Sequence, residues 1–344
     1  MVSFAGYLMP IQYKGVKFEH NFVRNNVGLF DISHMAQIII NGDKAFDLLQ
    51  KITTNDVAKL VTGKVQYSCM TNQNGGIIDD FLLYKLSKTK YMLVVNASNA
   101  QKDFDWICSH NVDNVDIIDV TDSKSIIAVQ GPKSIIALQK ITNIDLSLIP
   151  YYSFSKGSLL NYDNIIISNT GYTGELGFEL YVDRKHTQNI WDALFENNDL
   201  IEPIGLAARD TLRLEKSFCL YGNDIDENRT PIEAGLSWIV NFNKEFIGKK
   251  KLLLQKQNGV INSLVSFIML DKGIPRQDYP ILDTNDNKIG VVTSGTMSPS
   301  IGKAIGMGYI NVEMSKYGNH IFILIRNKKI KAVITNRIFD EKKK

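Results

Sequence analysis

Short apolar runs closed by glycine, asparagine and aspartate turns dominate the chain, and only a few stretches carry helical periodicity. Residues 35–40 (MAQIII) form such a run, which Asn41-Gly42-Asp43 closes and which predicts a strand; Ala45, Leu48, Leu49 and Ile52 then recur at helical spacing. YSCMTN, the turn Gln73-Asn74-Gly75-Gly76, IIDDFLLYKL and YMLVVNAS follow, and together they predict an antiparallel meander with a Gly-rich hairpin. A helix is expected over 100–110, a strand over 125–129 ended by Gln130-Gly131-Pro132, and a second helix over 134–141. Strands are expected at 158–162, 165–168 and 175–182, and helices at 186–196 and 206–216. Strands and helices alternate without a long parallel βαβ rhythm, which favours α+β over a doubly wound sheet. Beyond Gly259 the helical signal fades, and SLVSFIML, KIGVVTSGTMS, AIGMGYI and HIFILIRNKKIKAVIT predict an all-β unit, a small barrel or jelly roll. The Lys-rich stretch 246–257 reads as an amphipathic helical linker into it.

Composition narrows the function classes. With 344 residues, 44% of them hydrophobic and 22% charged, the chain is expected to be globular with two or three domains. Its 39 Lys and Arg against 36 Asp and Glu leave a net charge of +3, too small for a nucleic-acid binder, and the Lys-rich end 341–344 reads as a solvated tail. Cys69, Cys108 and Cys219 stand far apart, which suggests neither a disulfide framework nor a paired metal site, and implies a reducing compartment. The five histidines contain no HxxxH or HxH pair, so no metal is expected. No run approaches the 18 or so apolar residues that span a bilayer, and residues 1–10 lack a basic region followed by an apolar run. A mature chain in a bacterial cytoplasm or a mitochondrial matrix is the expectation.

Four constellations could carry chemistry. Asp79-Asp80 interrupts an apolar strand, where neighbours face opposite sides, so one acid must point to the core or a cavity unless the strand lies at a sheet edge with both acids in water. The run Gly171-Tyr172-Thr173-Gly174-Glu175-Leu176-Gly177-Phe178-Glu179 spaces three glycines three apart ahead of a strand, where backbone and ligand can approach closely. Gly177, Glu179 and Tyr181 share one strand face, so a carboxylate stands by a bare glycine and an aromatic ring. That suits a flat heterocycle with two adjacent N–H donors, although a solvent-facing hairpin Glu fits the same pattern. Arg209 and Arg213 lie four apart on one helix, placed to grip a carboxylate or to pair with Glu215, Asp210 and Glu202. Asp31, Ser33 and His34 could form an acid–His pair, but no nucleophile motif accompanies them, and a core histidine is the plainer reading.

Taken in order, FAGYLMPIQY, VGLFDISHM, GDKAFDLLQKITTNDVAKL, GKVQYSCMTNQNGGIIDDFLLYKL, YMLVVNASNAQKDFDWI, IAVQGPKS, GYTGELGFELYV, GLAARDTLRLEKSFCLYGNDIDENRTPIEAGLSWIV, FIGKKKL and GVVTSGTMSPS resemble the aminomethyltransferase (T-protein) family of the glycine cleavage system, from about residue 4 to about residue 335. The resemblance implies an α+β fold of three domains in a cloverleaf around a central folate channel. The domains would be 1–50 interleaved with about 120–245 as folate-binding parts, 51–119 as a meander carrying Asp80, and 260–340 as the all-β unit. It implies transfer of the one-carbon unit from the aminomethyl-dihydrolipoyl arm of H-protein to tetrahydrofolate, giving 5,10-methylenetetrahydrofolate and ammonia. Lipoylated H-protein is then the partner and tetrahydrofolate the co-substrate, with no metal, nucleic acid or membrane. Residue by residue, Asp80 matches the catalytic acid, Glu179 the residue that binds the pterin N–H edge, Tyr172 and Tyr67 aromatic positions lining the folate, Arg209 a folate-contacting arginine, and Asn96 a wall residue. Tyr7 stands where a Trp is usual, and the end NRIFDEKKK lacks the usual Pro, so the resemblance carries no folate-tail contact over to the last residues and leaves open whether Arg337 or a terminal Lys substitutes. Folate-dependent demethylases or methyltransferases of the same fold, and a non-catalytic folate-binding protein, are the alternatives.

Overall fold

A computed structural model describes residues 1–196 and 198–336, so the end from Arg337 onward lies outside the described residues. The chain divides into two compact units. Met1–Met70, Asp79–Arg209 and Asn243–Ile247 make the first; Thr71–Ile78, Asp210–Phe242 and the chain from Gly248 onward make the second. No helix among the described residues is long and apolar enough to cross a membrane.

The first unit is α+β and is built on two sheets. One runs, in spatial order, Val65–Thr71, Ile77–Lys85, Lys90–Val95, Ala36–Asn41 and Asp116–Asp119, with consecutive pairs antiparallel wherever their register is defined. The helix Ala45–Ile52 follows the strand Ala36–Asn41 and buries Ala45, Leu48, Leu49 and Ile52, the four positions its spacing selects. The other sheet runs Phe154–Leu159, Tyr162–Ser168, Gly177–Asp183, Lys124–Gln130, Val27–Asp31 and Ile201–Pro203, the last two strands parallel. Strict alternation governs it: Phe178, Leu180 and Val182 enter a core with Ile127, Val129, Ile167 and Leu29, so Glu179 and Tyr181 take the opposite face. Each large apolar side chain in that core contributes about 1.5–3 kcal/mol by leaving water.

The single strand expected at 158–162 is instead a hairpin turn, because Leu160 adopts a left-handed φ of 54° and reverses the chain between two strands. The helix Val16–Asn25 has no clean apolar stripe, since its buried face includes Glu19 and His20 as well as Val23. Glu19 is satisfied from outside the helix: its carboxylate accepts backbone N–H bonds from Tyr13, Lys14, Gly15 and Gly205 at 2.6–3.0 Å.

The second unit contains a closed six-stranded barrel in the order Asn262–Met269, Ala304–Asn311, Lys288–Met297, Pro280–Leu282, His320–Ile325 and Lys328–Thr335, the last strand pairing back onto the first. Phe267, Ile281, Val292, Ile310, Ile321 and Ile334 fill it. The expected linker helix is Lys249–Asn258, starting after Gly248 at φ 87°; it is not amphipathic, for Leu252 is its buried residue while Leu254 is exposed. Arg213 is buried in this unit and bonds Asp224, Asp210, Ser294 and the carbonyl of Phe218 at 2.7–3.0 Å. Asp210, which the sequence offered, and Asp224 are among its acid partners. Glu215 accepts from the hydroxyls of Ser298 and Ser300.

Candidate functional site

The strand that carries the two acids is an interior strand of its sheet, which removes the solvent-edge reading. Pleating turns Asp79 inward with no exposed surface and leaves Asp80 half-buried on the other face. Asp79 is well supplied with donors. Its Oδ1 accepts from the side-chain amides of Asn96 at 2.8 Å and Asn99 at 2.6 Å, and its Oδ2 from the backbone N–H of Asn96 at 3.0 Å. Asp80 accepts from the Tyr67 hydroxyl at 2.8 Å and from the Asn96 amide at 2.9 Å. Burial, and then the charge of Asp79, push the Asp80 carboxyl up to about 7, while Tyr67 and Asn96 pull against them. A half-open carboxyl that exchanges its proton near neutrality suits general acid–base work.

A second cluster surrounds Glu179. Oε2 of this buried carboxylate accepts from the Thr170 hydroxyl at 2.6 Å and from Tyr181 at 3.4 Å, while its Oε1 accepts from no donor among the described residues. Burial raises its proton affinity, against the opposing pull of Thr170, Arg209 and Tyr181. The Tyr181 hydroxyl lies 2.7 Å from that of Tyr84, which also reaches Ser168 at 3.1 Å and Thr170 at 3.3 Å. Tyr84 lies on the same strand as Asp80, four residues on and therefore on the same face, so one hydroxyl network ties the Asp80 strand to the Glu179 strand. The Arg209 guanidinium stacks on the Tyr172 ring at 4.7 Å. An open carboxylate oxygen beside a cation–aromatic pair fits a flat heterocycle with an N–H edge.

The glycine run does a different job from the one its spacing suggested. A Cβ on Gly177 or Gly171 would collide with the Gln130 side chain at 2.5 Å and 2.0 Å, so these glycines make room for Gln130, whose amide bonds the Thr170 carbonyl and the Thr173 hydroxyl at 3.0 Å. No acid–His pair forms. Asp31 accepts from the Ser33 N–H, while His34 sits buried against the ring edges of Phe4 and Tyr7. Burial and the nearby Arg209 charge lower His34 to about 3 and keep it neutral. Sequence reasoning missed Tyr84, Thr170, Asn99 and Asp103. The tertiary fold places Asp103: Asn99, Asp103 and Ile107, four residues apart, are all buried, which puts an acid on the inner face of the helix Ala100–Ser109.

Comparison with known proteins agrees with this architecture. Residues 1–244 match the model of the GCVT N-terminal domain, and residues 262–340 that of the glycine cleavage T-protein C-terminal barrel domain. The fold is that of the crystal structure of glycine cleavage system aminomethyltransferase T from Bartonella henselae, with a TM-score of 0.93 at 34% identity, covering 99% of this chain and 94% of that one. An aminomethyltransferase of Flavobacterium psychrophilum is 50% identical over 99% of this chain and 96% of its own length. Another, of Bacteroides fragilis, is 52% identical over 98% and 95%. The chain belongs to the glycine cleavage T-protein family of aminomethyltransferases.

Proposed function

We propose that the chain releases ammonia from the aminomethyl group on the dihydrolipoyl arm of H-protein and passes the carbon to tetrahydrofolate, giving 5,10-methylenetetrahydrofolate. In the balanced reaction the C–N and C–S bonds of the arm break and two C–N bonds form. The two protons leaving the folate nitrogens end on ammonia and on the lipoyl sulfur.

Asp80 holds and moves the proton at the reacting nitrogens; its half-buried place on an interior strand beside Asp79, held by Tyr67 and Asn96, carries this reading, and its raised proton affinity agrees with it. Tyr67 and Asn96 fix the orientation of its carboxyl through their two hydrogen bonds. Glu179 presents its open oxygen to the pterin N–H edge, and Thr170 with Tyr181 holds the other. Arg209 and Tyr172 pair as a charged and flat wall for the folate. The domain partition belongs to the same proposal: about 120–245 with the start of the chain, a meander domain over 51–119, and 260–340. The meander sheet also takes in Ala36–Asn41, so the middle domain draws that strand from the segment 1–50. A cytoplasmic setting belongs to the same proposal, supported by the bacterial origin of the relatives.

The test is ammonia release from aminomethylated H-protein with and without tetrahydrofolate, beside a parallel assay with sulfonium and methoxy methyl donors. Folate-stimulated release supports the reading. Turnover of a methyl donor alone overturns it in favour of a demethylase or methyltransferase.

A further inference from the structure

Asp103 presents a buried acid that the proposed chemistry does not use. It has no exposed surface, and neither of its carboxyl oxygens accepts a hydrogen bond from an N–H or O–H donor. Asp79, on the strand Ile77–Lys85 and in side-chain hydrogen-bond contact with Asp103, is as deeply buried but takes three N–H donors. Two ionised carboxylates cannot share a site without solvent or cations between them, and an unpaired buried carboxylate is far costlier than a neutral acid. The proton therefore belongs on the group without donors. Asp103 stands in the first helical turn, where the helix dipole favours negative charge, but that pull is a fraction of the burial penalty.

We propose that Asp103 is a positioning residue, a permanently neutral carboxylic acid that donates its hydrogen to Asp79 and so keeps Asp79 the ionised acceptor that clamps Asn96 against Asp80. The inference rests on the reading of Asp80 as the proton-handling group, although the state of Asp103 can be measured apart from it. The chain of contacts is short: Asp103 supports Asp79, Asp79 holds the Asn96 amide and backbone N–H, and the same Asn96 amide donates to Asp80. Burial, then the charge of Asp79 and the hydrogen bond to it, push Asp103 up to about 11, consistent with a group that stays protonated throughout the working range. Among the described residues, Tyr67 acts on Asp80, Cys69 faces Asp79 and Asp80 from the same strand Val65–Thr71, and Lys102 from the helix itself acts on Asp103, with Lys244 acting on Cys69. Asp79, Asp80 and Asp103 do not form a metal-holding group.

Infrared spectroscopy of the full chain labelled with ¹³C-aspartate tests the state directly. A protonated-carboxyl C=O band is expected at pH 9, retained in Asp80→Asn and lost in Asp103→Asn. Absence of the band, or its survival in Asp103→Asn, overturns the proposal whatever the enzyme's activity. The pH profile of ammonia release tests the positioning role. Asp103→Asn, which keeps an uncharged donor, is expected to hold turnover within about threefold and to leave the ionisation near 7 in place. Asp103→Leu leaves Asp79 without that donor, so Asp79 takes up a proton and its repulsion of Asp80 disappears. The ionisation is then expected to move down by about one pH unit and turnover to fall about tenfold, at unchanged folate affinity. A shifted profile in Asp103→Asn, or an unshifted one in a folded Asp103→Leu, overturns the positioning role.

Discussion

Two buried acid clusters in the first unit use carboxyl groups in opposite ways. Around Asp80 the neighbours are one amide, one phenol and a second carboxylate, and repulsion from Asp79 leaves a proton loosely held. Around Glu179 the neighbours are hydroxyls from three strands or their flanking loop and the charge of Arg209. Burial and the Glu179 charge raise Tyr84, and burial raises Tyr181, so both phenols stay protonated donors. Like-charge crowding makes a group that changes state; a closed hydroxyl network makes one that keeps its shape. The first arrangement suits proton transfer and the second suits recognition.

Substitutions separate the two roles, and the largest effect is expected at Asp80. Asp80→Asn keeps size and hydrogen-bonding capacity but cannot cycle a proton, so turnover is expected to fall by about 10² or more with folate affinity within a few-fold. Glu179→Ala is expected to act the other way, weakening folate binding by about 5- to 100-fold in calorimetry through the loss of an acceptor for two N–H donors. An unchanged dissociation constant would remove Glu179 from the pterin site. Tyr84→Phe removes the hydroxyl that touches Ser168, Thr170 and Tyr181, and is expected to cost about 1 kcal/mol of stability in denaturant titration, with a smaller loss of folate affinity than Glu179→Ala.

The smallest effect concerns stability against pH. The native Asp80 carboxyl binds its proton more tightly than an ordinary aspartate with its value of 3.8, so between about 4 and 7 the folded chain holds more protons than the unfolded chain. Its contribution is therefore fully present below the unfolded value and is lost as the pH rises through 7. Asp80→Asn removes the penalty, and at pH 8 the variant is expected to be about 1 kcal/mol more stable than the parent, a figure reduced because solvent reaches part of the group. At pH 4 the gain is expected to vanish. Equal stabilities at both pH values would mean that Asp80 is not perturbed.

Much of the fold was legible because it follows local periodicity. The helix over Ala45, Leu48, Leu49 and Ile52 and the strand-only C-terminal unit needed nothing beyond it. What local patterns could not reveal depends on partners distant in sequence. Glu19 breaks the apolar stripe of its helix because Gly205 and the preceding loop supply its donors. Gly171 and Gly177 looked like space for a ligand, yet the space belongs to Gln130, some forty residues upstream. In the site, Asp79-Asp80 and Glu179 stood out as acids in apolar surroundings, whereas Asp103 did not, since a helix accepts an acid on most faces and only the tertiary fold turns this one inward.

The most direct test of the central claim is the pH dependence of folate-stimulated ammonia release, measured on the parent chain and on Asp80→Asn with tetrahydrofolate affinity determined alongside. The expected result is an ionisation near 7 in the parent profile, and a variant whose residual rate has lost both that ionisation and about two orders of magnitude while still binding folate. A variant that turns over normally with the same profile would contradict the assignment of proton transfer to Asp80.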